Sequence, residues 1–450
     1  MSKEKRVSDL VQVQQLEPTR TRDGWYSWFV VAVLSFAAIV SFIDRQVINL
    51  LVEPIKLDLG ISDTQISLVQ GFSFALFYAL LSFPIARIAD SGNRKNVIII
   101  GVVVWSMATF SCGLAVGFWS LFFARVFVGA GEATLTPSGC SMIGDYFSKE
   151  RLPLAISVFT GSGFLGSGVA LIIGAYVIDM VNGWGTVVLP LIGPSKPWQL
   201  IFMLVALPSI LLLTLMAFVK EPVRRGAANE APTVSFSHLV QHLKEHSRVY
   251  MAIVFGFSLM ASAQFSIGAW VPSFFIRTYD WSASEIGFTF GVIAVLCSTS
   301  GVIFGGWLGA RLLRIGYSSA NLLIPIGAML FCVPFAIAFP LTGSATLSIV
   351  ILVFVMFFGA MPFGVGMATL PQIAPNRMRA QIVAIYLLVA NLVGFSLGPT
   401  SVALVTDVVF KDPSLIRYSL AIVPAILMTI GAVVVATGLT HYKKLLASRL

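Results

Sequence analysis

Charge is what this sequence lacks: Asp, Glu, Lys and Arg make up 11% of its 450 residues, while 57% are hydrophobic. A soluble domain carries roughly 25% charged residues, so a globular fold of this size has too few to cover its surface. A surface that faces lipid needs none. Cysteine is scarce as well. Cys112, Cys140, Cys297 and Cys332 all fall in apolar stretches, spaced for neither metal nor disulfide, and read as small core residues. No phosphate-cradling loop is present, which excludes an ATP-driven pump in a single chain, and no nucleophile–base pairing suggests an enzyme. The first 24 residues are polar, with no short apolar stretch and cleavage site ahead of the first long apolar run, so no cleaved signal peptide is expected.

What the chain has instead is long apolar runs. A helix needs about 20 apolar residues to cross a bilayer; 25–43 and 97–124 are uncharged throughout, and 315–376 is an uncharged stretch long enough for two spans. The pattern predicts an all-α polytopic membrane protein of twelve spans, at about 25–43, 66–86, 97–116, 118–143, 153–178, 198–219, 249–276, 286–310, 319–340, 345–370, 381–406 and 418–440. Six lie before residue 221 and six after 248, the layout of a duplicated transporter. The expected parts are a tail over 1–24, a six-helix bundle over 25–220, a linker over 221–247, a second six-helix bundle over 248–441 and a tail over 442–450.

The net charge of +9 is distributed by loop. Loops on the side of the N-terminus hold 22 of the 29 Lys and Arg; the opposite loops hold five, Lys56, Lys196, Arg277, Lys411 and Arg417. The positive-inside rule then puts both termini in the cytoplasm, and in a bacterium the membrane is the inner one. The bias accounts for the basic balance without a nucleic-acid partner. In the linker, His238, His242 and His246 recur every four residues, a spacing that can bind zinc. No acid or cysteine nearby completes a site, however. The apolar stripe of Phe236, Leu239, Val240 and Leu243, with Ser235 or Ser237 as N-cap, reads as an interfacial amphipathic helix. No metal and no cofactor are expected, and the chain is expected to act as a monomer.

Ionisable groups in hydrocarbon cost a few to ten or more kcal/mol, so each is a functional candidate. Asp44 and Arg45 close span one; Arg125 and Glu132 lie in span four, seven residues apart and so on one face, about 10 Å apart in depth. Gly129, on the same face, leaves room for a neighbouring helix or a ligand. Two acids and two arginines make a switch: protonating an acid frees an arginine to hold an anion, and ionising it recaptures the arginine. The competing reading is a structural ion-pair cluster that fixes the packing of spans one and four. Asp90, Arg94 and Lys95, between spans two and three, suit a conformational latch, or else ordinary positive-inside residues. Gln264, Trp270, Tyr386 and Asn391 are placed to line the C-terminal wall, or to make helix–helix hydrogen bonds. The 35 Phe residues single out no site by themselves.

The stretch 86–95 resembles the signature loop of the major facilitator superfamily at Asp90, Arg94 and Lys95, with Ala86 and Asn93 where glycines are usual. Arg125-x3-Gly129-x-Gly131-Glu132 is similar to that superfamily's fourth-span motif, often linked to proton coupling. Span five has Gly166-Ser167 where many antiporters carry Gly-Pro. Within the superfamily the chain resembles the spinster-like proteins, carriers associated with sphingolipids and lysophospholipids. The matching stretches are Phe42-Ile-Asp44-Arg45, Gly129-Ala-Gly-Glu132-Ala133, Ile143-Gly-Asp145-Tyr-Phe147 and Trp270-Val-Pro-Ser-Phe274. The resemblance implies an amphipathic cavity, with charge near Arg125 for a headgroup and apolar walls for an acyl chain.

The expected activity is alternating-access transport of an amphipathic lipid-like or organic anion, proton-coupled through Asp44 and Glu132, with Arg45, Arg125, Gln264, Trp270, Tyr386 and Asn391 as substrate contacts. A carrier of small organic acids or drugs is the alternative within transport. A non-transporting lipid-binding receptor is the alternative of another class, and it has no use for a latch.

Overall fold

The computed structural model describes residues 23–148, 150–190, 192–224, 236–375 and 378–447, without the side chains of residues 83, 90, 91, 164, 236, 367 and 380. Among the described residues, eleven helices are long and apolar enough to cross a membrane. They are Trp25–Leu50, Asp63–Ser82, Arg94–Cys112, Leu152–Asn182, Pro197–Phe218, Ser247–Tyr279, Ala283–Arg314, Ala320–Leu341, Ala345–Ile373, Gln381–Phe410 and Pro413–Ala447. The remaining span, the fourth, is broken into Phe118–Glu132 and Leu135–Tyr146, each too short alone. At the break the Thr134 hydroxyl donates to the Gly131 carbonyl at 2.8 Å, and Thr134 packs where a side chain on Gly101 of span three would stand.

Several ends are set by local chemistry. Ser62 and Gln65 form a reciprocal capping box at the start of span two, and the Asn93, Ser282 and Ser344 side chains accept from backbone amides at the starts of spans three, eight and ten. Span two passes through a π-helical stretch, Leu68–Phe72, before continuing as Ser73–Ser91. Two short strands, β1 (Val187–Leu189) and β2 (Gly193–Ser195), pair antiparallel between spans five and six. The sequence pattern does not show them.

Three expected boundaries move. Span one runs on to Leu50, so Asp44 and Arg45 lie inside the helix and not at its end. The last helix runs to Ala447, absorbing most of the expected C-terminal tail. The linker helix is Phe236–Glu245, which puts Ser237 inside it, where it cannot be the N-cap; Ser235 lies outside the described residues.

Span one packs on span five and span seven on spans eleven and twelve, while spans eight and nine pack on span ten. The halves meet through spans five and eight, two and eleven, and one and seven. The apolar core records where. One cluster joins Val47, Leu50, Leu171 and Ile178 of the first half to Trp270, Phe274, Phe290 and Val402 of the second. A separate cluster, including Val30, Leu34, Trp105, Met142 and Phe159, belongs to the first half alone. The contacts that join the halves, such as Leu50 on Gly287 and Gly168 on Gly291, lie away from the ends that carry the termini, so the halves are fused on the far side.

Candidate functional site

Span one brings Asp44 and Arg45, adjacent in sequence, to opposite fates. Asp44 is fully buried, and neither of its carboxylate oxygens has a hydrogen-bond partner. Arg45 keeps 14% side-chain exposure and forms an ion pair with Glu132 of span four. The Arg45 guanidinium carbon also lies 4.3 Å from the centre of the Phe74 ring, 4.8 Å from Phe42, 5.5 Å from Phe395 and 5.8 Å from Tyr78. Phe395 comes from span eleven, in the other half, and stacks on Phe265 of span seven at 3.9 Å. A cation held by an acid is therefore wrapped in an aromatic cage built from both halves.

Arg125 does not pair with the Asp44 carboxylate. Its Nη1 donates to the Asp44 backbone carbonyl at 2.9 Å and its Nε to that of Val69 at 3.4 Å, while Nη2 is buried without a partner. Arg125 is wholly buried. It ties span four to spans one and two and presents no open fork, which differs from the headgroup contact expected of it. Gly129, left open between a helix and a ligand, serves a helix: a side-chain carbon there would stand 2.4 Å from the Phe74 carbonyl oxygen.

The C-terminal candidates divide. Trp270 is fully buried and donates from Nε1 to the Pro399 carbonyl at 2.9 Å, bracing span seven to span eleven. Gln264 is half-buried, with Nε2 3.3 Å from Met356 Sδ on span ten and Oε1 unpartnered. Tyr386 is buried edge-to-face with Phe257. Asn391 is half-buried on span eleven, one turn before Phe395.

Arg94 is almost completely buried at the termini side. Its Nη1 reaches Asp145 and the Ser141 hydroxyl at 3.0 Å, its Nε reaches Glu221 at 2.7 Å, and its Nη2 reaches the Pro222 carbonyl at 3.1 Å. The Lys95 amide donates to Glu221 at 2.9 Å, and its Nζ to the Ala217 carbonyl at 3.1 Å. These partners belong to the first half and to the start of the linker, Glu221 and Pro222, with none from the second half among them. The Asp90 side chain lies outside the described residues. In the linker, Glu245 stands with His242 and His246, ligand atoms within 4.8 Å of one another. This corrects the expectation that no acid lies nearby. Gln241 donates to Glu245 at 2.9 Å and His242 lies 3.0 Å from the Tyr250 hydroxyl, so two of the three are already engaged by protein.

Sequence reasoning missed the far-side contacts between the halves. Arg277 of span seven donates to both oxygens of Asp63, at 2.7 and 2.8 Å, and to Glu53 at 2.8 Å; Lys56 also pairs with Asp63. Thr64 donates to Asp407 from its amide at 2.6 Å and its hydroxyl at 2.7 Å. Arg277 and Lys56 were visible as charges between spans, but nothing in the chain order paired them with an acid. The aromatic cage was hidden by the abundance of Phe.

The chain matches the family model of the Major Facilitator Superfamily over residues 34–399 and belongs to that superfamily. It is 25% identical to an MFS-type efflux pump of Mycolicibacterium smegmatis, covering 93% of this chain and 94% of the pump. It is 28% identical to protein spinster homolog 3 of Danio rerio, over 89% of this chain and 82% of that one. To the sphingosine-1-phosphate transporter SPNS2 of Xenopus tropicalis it is 23% identical, over 95% and 86%. Among solved structures, a bacterial homologue of the human lysosomal transporter Spinster, inward-facing and unoccupied, superposes with a TM-score of 0.76 at 25% identity, over 95% of this chain and 98% of that one. The chain is thus a multi-pass membrane transporter of spinster type.

Proposed function

We propose that this spinster-type member of the superfamily moves an amphipathic anion, a lipid with one charged headgroup, in exchange with or alongside protons. Both termini are then cytoplasmic, a reading the Lys and Arg distribution supports, and the far-side fusion of the halves is the inward-facing state. The observation that carries this reading is the Arg45–Glu132 pair inside the aromatic cage. A buried carboxylate stripped of its cation costs several kcal/mol, whereas a cation over aromatic faces gains about 0.5–2 kcal/mol. Arg45 therefore stays on Glu132 until that acid is protonated or an incoming anion takes its place. The partly exposed Arg45, not the walled-in Arg125, is the group that meets the headgroup, and the partly exposed Phe265 and Phe395 meet the chain. Asp44, a buried carboxyl without a hydrogen-bond partner, is the second proton site.

A carrier of small organic acids or drugs is the second reading, supported by the likeness to an efflux pump. It requires polar groups free to face a cavity. Trp270 is spent on Pro399 and Gln264 on the span-ten interface, which favours the lipid.

The test is uptake in vesicles with an imposed pH gradient, comparing a tagged lysophospholipid, a diacyl lipid and a small dicarboxylic acid. Gradient-dependent movement of the lysophospholipid alone is expected. Movement of the dicarboxylic acid alone would overturn the lipid reading.

A further inference from the structure

Two cavities meet at Arg248, where span seven enters from the linker. One, of about 420 Å³, is lined by Glu245, His246, Arg248, His441 and Lys444. The other, of about 300 Å³, continues along spans seven and twelve between Arg248, Met251, Ala252, Phe255, Val434 and Thr437. The first is basic: two permanent cations and two imidazoles face one acid, and that acid already accepts from Gln241. Arg248 Nη1 lies 3.4 Å from His441 Nε2, and His441 Nδ1 is buried without a partner. The second is apolar over most of its wall.

The pair opens outward, away from the aromatic cage. Span seven meets span twelve through Ala252 and Gly256, span ten through Tyr250 and Gln264, and span eleven through Ser262 and Phe265. What remains on the outside is Arg248, Met251 and Phe255, all exposed, beside exposed Thr437 on span twelve. From Arg248 to Phe255 the groove descends about 10 Å along the helix.

We infer that spans seven and twelve hold one anionic phospholipid from the surrounding leaflet, its phosphate between Arg248, His441 and Lys444 and one acyl chain along Met251, Phe255 and Val434. Charge complementarity names the headgroup, since each Lys or Arg near a membrane surface favours an anionic lipid by about fivefold. The apolar groove continuing from the same arginine names a lipid over a free anion. The site lies beside the linker helix Phe236–Glu245, so its occupant bears on how the two halves are tethered. It is separate from the transport cage, and its test does not depend on what is transported.

The full chain carries a photo-crosslinking benzophenone at Thr437 and is reconstituted in phosphatidylcholine vesicles with a trace of alkyne-tagged phosphatidylglycerol or alkyne-tagged phosphatidylcholine. Labelling by the anionic lipid is expected to exceed the zwitterionic one by at least about fivefold. It should fall to the zwitterionic level in Arg248→Ala/Lys444→Ala and persist in Arg248→Lys/Lys444→Arg, which keeps both charges. Excess inorganic phosphate should leave it unchanged. Equal labelling by both lipids, undiminished labelling in the alanine pair, loss in the charge-preserving pair, or displacement by inorganic phosphate would each overturn the assignment.

Discussion

Arg277 grips the fully buried Asp63 with two hydrogen bonds, at 2.7 and 2.8 Å, one residue from each half of the protein. With Lys56 and Glu53 the group balances two cations against two acids. Removing one partner of a buried pair leaves an uncompensated charge, at about 3–5 kcal/mol. Arg277→Ala is therefore expected to open the far side. Electron–electron resonance distances between spin labels at exposed Leu57 and Glu285 should gain a longer component, larger for Asp63→Asn than for Glu53→Gln, because Glu53 is 25% exposed. Unchanged distances would mean that packing alone joins the halves.

Packing is tested separately at Gly168 and Gly291. A side-chain carbon at Gly168 would lie 2.6 Å from the Gly291 carbonyl oxygen, and one at Gly291 would lie 2.8 Å from that of Gly168. Spans five and eight cannot stay this close with alanine at either position. Gly168→Ala should shift the same label distances outward without removing any charge, and combine with Arg277→Ala more than additively, since both act on one contact surface.

At the termini side, Arg94 holds Asp145 and Glu221 together, with its own side chain only 2% exposed. Arg94→Lys keeps the charge but cannot serve both acids and the Ser141 and Pro222 oxygens through one planar fork. Both Arg94→Lys and Arg94→Ala should lower the melting temperature in detergent, alanine more, on the order of 3–5 kcal/mol. Because its described partners lie within the first half and the start of the linker, with none in the second half, far-side label distances should not change. A shift in those distances would restore the latch between halves.

The spans were legible because lipid demands long apolar runs, and a charge inside such a run stands out. Asp44, Arg45, Arg125 and Glu132 were found that way. Which cation serves which acid was not legible, because it depends on helix rotation fixed by close contacts such as Gly129 on Phe74 and Gly71 on Phe395. The break at Ala133–Thr134 left one mark, Pro137, which lacks the amide that would bond back to the Ala133 carbonyl, but a proline inside an apolar span does not by itself tell a kink from a break. Phe395 could not be singled out among 35 phenylalanines, and the Arg277–Asp63 grip joins residues more than 200 positions apart.

The two acids should separate in function. Glu132→Gln removes the charge that holds Arg45, so anion binding should persist or strengthen while its dependence on an imposed pH gradient falls. Asp44→Asn leaves the Arg45 pair intact and should lose gradient-driven transport without tighter binding. Binding and vesicle uptake measured on both variants check this. Full gradient response in both would remove protons from the cycle.

The arginines decide between a substrate site and a structural cluster. Arg45 meets the cage, so Arg45→Lys should keep the pair with Glu132 yet weaken anion binding about tenfold, a lysine lacking the bidentate fork. Arg125 binds only main-chain oxygens of spans one and two. Arg125→Lys should therefore lower the melting temperature and leave residual binding close to normal once folded. The reverse order, with Arg125→Lys abolishing binding at unchanged stability, would return the headgroup to Arg125 and require a state in which spans one and four part. A cycle over Arg45→Ala and Glu132→Gln separates the remaining case. If the two residues only hold the helices together, the double variant recovers both stability and binding relative to Arg45→Ala. If Arg45 holds the anion, the double variant recovers stability, because no unpaired acid is left, and binding stays lost.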